Sequence, residues 1–149
     1  MITHFNIKGR DITVAVIAAG VSLAAVAVAQ APNPAILGPA VFTWETMKHG
    51  GTDVGAYAQL TRAPTATLDE LEMHVTTLRP GANSHPPHTH PNEELVIIKQ
   101  GTVEVLNGGE WKRVGPGGVV FNASNSPHAL RNVGDEAAVY HVINWKVGK

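Results

Sequence analysis

There is no cysteine in the chain, and that absence removes disulfides, thiolate metal ligands and a cysteine nucleophile together. Any metal must therefore bind through nitrogen and oxygen. Charge is sparse too: 15% of the 149 residues are charged, 11 Lys+Arg against 12 Asp+Glu, for a net charge of −1. No basic stripe interleaved with aromatics runs along the chain, which argues against a nucleic-acid partner. Aromatics make up only 5% of residues, so there is no obvious platform for an aromatic substrate. Trp44, Trp111 and Trp145 are read as core or interface residues, since large rings bury area wherever they lie. Helical periodicity is missing after the first thirty residues, and no internal repeat appears.

What remains is 44% apolar and long enough for one ordinary globular domain with a real core. The first segment is a separate matter. "MITHFNIKGRD" carries Lys8 and Arg10, Ile12 to Ala29 runs without a charge, and Ala27, Ala29 and Ala31 are small. Those three parts predict a secretory signal peptide over residues 1–29. The alternative is an uncleaved anchor, because eighteen uncharged residues reach the lower limit for spanning a bilayer. The signal reading implies a periplasmic or secreted protein that leaves the membrane once the segment is removed.

Residues 30–66 follow as an extended N-terminal arm and first strands, because the prolines of "APNPAILGPAVF" remove donors and restrict their predecessors. Residues 67–149 form the core of the domain. There, short β-rich runs alternate with turn residues. Leu71 to Leu78 places Leu71, Met73 and Val75 on one face and Glu72, His74 and Thr76 on the other, before "RPGA" ends it. Glu94–Gln100, Thr102–Leu106, Glu110–Val114, Val119–Ala123 and Ala137–Trp145 read as further strands. Between Leu106 and Glu110, "NGG" predicts a tight hairpin, its Asn-Gly start suiting central residues at positive φ. The chain is all-β, a sandwich or barrel.

"SHPPHTHPNEELVIIKQG" concentrates the chemistry. His88 and His90 are two apart, so in an extended strand both leave the same face and can close on one ion. Glu94 shares their parity, and Pro86, Pro87 and Pro91 stiffen the approach. The fourth ligand is expected from His128 in "NSPHALRN", which a hairpin would bring back beside the first cluster. Glu93 has the opposite parity and is expected to point outward. His85 is a candidate proton shuttle at the pocket mouth, with a plain loop histidine as its alternative. His74 and His141 lie in strand patterns where either lines the barrel or faces water, with a structural role the preferred reading, and Arg131 is read as a solvated strand-end arginine, with reception of an anionic substrate its alternative.

At these residues the sequence resembles the cupin superfamily. The first motif of that family reads here as "GANSHPPHTHPNEELVIIKQG", from Gly81 through His88, His90 and Glu94 to Gly101. The second reads as "GGVVFNASNSPHALRN", with Gly117 before His128 and Asn132 four after it. Six residues rather than five separate Gly81 from His88, and Ala123 and Asn125 stand where the second motif has Pro and Gly. The resemblance covers Thr67 to Trp145. It implies a cupin-type double-stranded β-helix, or jelly-roll barrel, holding one divalent transition metal per chain by three His and one Glu. Family analogy ranks Fe or Mn first, with Zn, Ni or Co also compatible with such donors.

An exported metal-dependent enzyme acting on a small organic substrate is the leading expectation, with oxygenase-type chemistry its first version. A non-redox lyase or isomerase uses the same ligands. A non-catalytic small-ligand-binding barrel is the alternative from another class, and pairing into a homodimer is expected from the resemblance.

Overall fold

The computed structural model describes residues 35–148. The signal-peptide segment and the first residues of the arm lie outside the described residues. Among those described, one 3-10 turn, Trp44–Thr46, precedes nine strands: β1 Lys48–Thr52, β2 Gly55–Ala63, β3 Leu68–Leu78, β4 Glu93–Gln100, β5 Val103–Asn107, β6 Glu110–Val114, β7 Val119–Asn122, β8 Ala129–Asn132 and β9 Ala138–Val147. They pair antiparallel in two sheets. The larger runs β1-β2-β3-β9-β4-β7 and the smaller β6-β5-β8. This is the jelly-roll barrel expected from the motifs, and no described helix is long and apolar enough to cross a membrane.

Alternation builds the core. Val96 and Ile98 of β4, Val103 and Val105 of β5, Val120 of β7, and Ala138, Tyr140 and Val142 of β9 turn inward every second residue. Each fully buried Ile, Leu or Val contributes about 1.5–3 kcal/mol of hydrophobic stabilisation. None of the three tryptophans joins this core: Trp44 is 54% and Trp111 41% exposed, and Trp145 stacks on Phe121 outside it. Of the core-or-interface expectation for these rings the core half fails, because β-branched side chains fill the small inward volume.

Two turns explain family positions. Gly101 takes φ +79°, and a Cβ there would stand 2.8 Å from the Ala138 Cα, so only glycine fits. Asn125, standing where the family carries glycine, adopts φ 58°. Asparagine tolerates that left-handed conformation, so the turn before His128 survives the replacement. The hairpin differs from the sequence expectation by one residue. Asn107 still pairs with Glu110, leaving Gly108 and Gly109 as the two positive-φ residues of the turn. The Asn107 side chain instead donates to the Phe121 carbonyl at 2.9 Å and to Asn122 Oδ1 at 3.1 Å.

The loop between β3 and β4 runs beside β8 as an extra, interrupted strand. His88 and His128 form a β-bridge, exchanging N–H···O bonds of 3.1 and 3.0 Å. Asn132 N–H bonds to Ala82 O at 2.9 Å, and Ser84 N–H to Leu130 O at 3.0 Å. This ladder brings the two halves of the sequence motif together, although forty residues of chain separate them.

Candidate metal centre

His88 sits on the bridging loop, His90 two residues on, and His128 just before β8. One ligand atom from each lies within 4.8 Å of the others, so the three could hold a metal ion. Ring centroids are 4.5 Å apart for His88 and His128, 4.7 Å for His90 and His128, and 5.4 Å for His88 and His90. Glu94, at the start of β4, adds carboxylate oxygens 3.6 Å from His90 Nε2 and 3.8 Å from His128 Nε2. Two ligands sharing one ion at about 2.1 Å stand roughly 3–3.5 Å apart, so small rotamer adjustments close this set.

The surroundings prepare these groups. His90 Nδ1 donates to Asn92 O at 2.9 Å and His128 Nδ1 to Ser126 O at 2.8 Å. With Nδ1 carrying the proton, each Nε2 keeps a lone pair, the tautomer a metal requires. His128 Nε2 is buried with no hydrogen-bond partner; an orphaned acceptor of this kind is costly unless something binds it. Asn122 Nδ2 donates to Glu94 Oε1 at 3.0 Å and orients the carboxylate. Burial, followed by the neighbouring imidazoles of His85, His128 and His90, lowers the His88 pKa and favours its neutral form. The donor set therefore fits a divalent cation.

Glu93 lies on the other face of β4, where it accepts the Trp145 indole N–H at 3.1 Å. Strand β4 thus keeps even parity from Glu94 through Val96 to Ile98, and its irregularity falls later, between Ile98 and Gln100 opposite β9. His85 is at the rim, its ring 4.1 Å from that of His88 and its Nδ1 donating to Pro86 O at 3.1 Å. Arg131 is outside the cavity, paired with Glu104 at 2.6 Å and laid over the Trp111 ring at 4.2 Å.

These four residues open onto a cavity of about 360 Å³ that also reaches His85, Tyr57, His74, Thr76, Tyr140 and Asn144. His74, read from sequence as structural, lines it. The polar face of β3 is the inward one, and Glu72 beside His74 is 3% exposed. Tyr57 and Tyr140 both have pKa values pushed up to about 12, chiefly by burial, with Glu72 adding to the first. Both remain neutral phenols: Tyr57 donates its O–H to Glu72 Oε1 at 3.1 Å, and Tyr140 borders the cavity, where it can donate to a bound anion. His141 went the other way, onto the outer face near Lys99, Val139 and Trp44. Shared even numbering of Glu72, His74, Tyr140, Asn144 and Glu94 was the signal for this wall, available once the strands were aligned.

A small antiparallel barrel, with a histidine cluster at the mouth of its interior cavity, defines the class. Residues 74–144 match the cupin domain family, so this part of the chain is a cupin domain. A 64-residue stretch is 41% identical to dimethylsulfoniopropionate lyase DddQ of Ruegeria pomeroyi, covering 42% of this chain and 31% of that protein. The chain thus spans about a third of that relative's length. Among solved structures, an RmlC-like cupin from Shewanella frigidimarina superposes with TM-score 0.59 at 14% identity, over 72% of this chain and 90% of that one. A cupin-superfamily sugar phosphate isomerase from Silicibacter pomeroyi gives 0.57 at 16%, over 72% and 76%. At these identities both likenesses concern the fold.

Proposed function

We propose that the protein is an exported metal-dependent enzyme performing non-redox acid–base chemistry, in the first instance an elimination from a small carboxylate. One observation carries this reading: the His88, His90, His128 and Glu94 donors share a single cavity with a wall of proton-carrying side chains, His74, Tyr57 and Tyr140. His88, His90, His128 and Glu94 would hold a divalent ion, which when bound would supply Lewis-acid polarisation of a substrate oxygen. Tyr140, as a neutral phenol, holds the substrate carboxylate by O–H donation, while the Tyr57 O–H is engaged by Glu72. In the elimination a protein base takes the α-proton, the C–H electron pair becomes the new C=C bond, and the leaving group departs from the β-carbon with its bonding pair. His85 at the rim passes the proton to solvent. The 41% identity with a lyase over 64 residues supports the same reaction class.

The oxygenase version draws on the same donor set, and one experiment separates the two. Protein loaded with Zn²⁺, which has no redox chemistry, is incubated without oxygen with dimethylsulfoniopropionate and a panel of other β-substituted propionates, and alkene formation is followed. Elimination by the zinc form, abolished by chelation, is the expected result. Turnover requiring iron and oxygen would favour an oxygenase. A protein that binds metal yet turns over nothing in either format would be a ligand-binding barrel.

A further inference from the structure

Glu72 and His74 stand two apart on the inward face of β3, and the mechanism above assigns Glu72 no role. Glu72 is a buried carboxylic side chain at 3% exposure, and both of its oxygens are engaged. His74 Nδ1 lies 2.9 and 3.0 Å from its two oxygens. Tyr57 O–H donates to Oε1 at 3.1 Å, and Asn144 Nδ2 donates to Oε2 at 2.9 Å. The Tyr57 ring packs on the His74 ring with centroids 4.7 Å apart, which further restrains the imidazole.

This arrangement fixes the tautomer. An acceptor-only carboxylate against Nδ1 requires the proton to sit on Nδ1. The other nitrogen, Nε2, then carries a lone pair, and no described residue hydrogen-bonds to it, while the ring borders the cavity. Asn144 ties this pair to the metal cluster: it is the β9 residue facing Glu72 on one side and Glu94 on the other. Two strand spacings, about 10 Å in all, separate Glu72 from Glu94, a gap a small carboxylate can bridge.

We infer that the juxtaposition of Glu72 and His74 on the inner face of β3 makes His74 the proton acceptor of the elimination, with Glu72 and Tyr57 as its positioning residues. This rests on the acid–base reading above and deepens it. In the step, His74 Nε2 takes the substrate α-proton, becoming an imidazolium that the Glu72 carboxylate stabilises. The proton returns to solvent after the alkene and leaving group depart.

The test uses zinc-loaded protein and has two arms. In the first, histidine ¹⁵N spectra assign the His74 tautomer, and diethyl pyrocarbonate, which acylates unprotonated imidazole nitrogen, is followed residue by residue by peptide mapping. Expected are an Nδ1-protonated His74 and acylation of His74 that slows roughly tenfold or more in Glu72→Gln, where an amide can hold the wrong tautomer. Exposed His49, whose Nε2 already donates to Trp44 O at 2.7 Å, should react equally in both proteins. A His74 carrying its proton on Nε2, or inert to the reagent in the folded wild type, overturns the inference without any substrate. In the second arm, His74→Gln should lower kcat about 10²–10⁴-fold on whichever propionate the wild type eliminates, with KM within threefold. An unchanged kcat also overturns it. If the wild type eliminates nothing while His74 behaves as expected in the first arm, it is the lyase reading that fails.

Discussion

Replacing Glu94 by Gln, compared with the same change at Glu93, probes the site and the strand register in one experiment. Glu94 is 13% exposed and stands 3.6 and 3.8 Å from the Nε2 atoms of His90 and His128. Glutamine is isosteric and keeps an oxygen for the 3.0 Å bond from Asn122, so the fold should be undisturbed while the anionic donor is lost. Mutating an outer-shell partner of a ligand costs about 10–100-fold in metal affinity. Loss of a direct donor therefore sets a floor of about 100-fold, or about 2.8 kcal/mol. Glu93 faces away, and a glutamine carbonyl accepts the Trp145 indole N–H that Glu93 accepts now at 3.1 Å. Its replacement should change metal affinity by less than about threefold and stability by less than about 1 kcal/mol. Zinc titration against a competing chromogenic chelator measures both proteins. Equal losses, or a larger loss for Glu93→Gln, would refute the register of β4 and the ligand assignment with it.

Asn132→Ala should cost about 2–4 kcal/mol in urea denaturation, because at 1% exposure Asn132 donates to Leu78 O and Glu136 O at 3.0 and 2.8 Å; a loss below 1 kcal/mol would mean water replaces those bonds. Gly101→Ala should cost about 2 kcal/mol or more, since φ is +79° and the new Cβ would meet Ala138; an unchanged denaturation midpoint would contradict the turn described for it. Metal at a hundred times its Kd should add about 2.7 kcal/mol to stability, so chelation should lower the melting temperature; an identical melting curve with and without chelator would separate the cluster from any folding-linked metal.

How much of this was legible in the sequence depended on whether the needed information was local. Turn residues and alternation marked β3 through β7 and β9, because strand period and glycine or proline punctuation are properties of neighbouring residues. Strand β8 was missed: its four residues, Ala129–Asn132, are too few to alternate visibly and were absorbed into the histidine motif. Alternation in β3 also separated Glu72, His74 and Thr76 from Leu71, Met73 and Val75 without saying which set points inward. The apolar set faces outward, where Val75 is covered beside Trp44 and Met47, and the polar set lines the cavity. Only the pairing of β3 with β9 and of β9 with β4 aligns Glu72, Asn144 and Glu94. That register is a long-range property no single segment contains. His88 and His128 could be paired despite their separation because an expected hairpin return of the chain, and then the family pattern, supplied the long-range link.

The most direct test of the whole account is an anomalous-difference map from a crystal of the zinc-saturated protein. One peak per chain is predicted, about 2.0–2.2 Å from a nitrogen of each of His88, His90 and His128 and from an oxygen of Glu94, on the side of the cavity that also holds Tyr140. A saturated crystal with no peak there, or with the ion held by other residues, would contradict it.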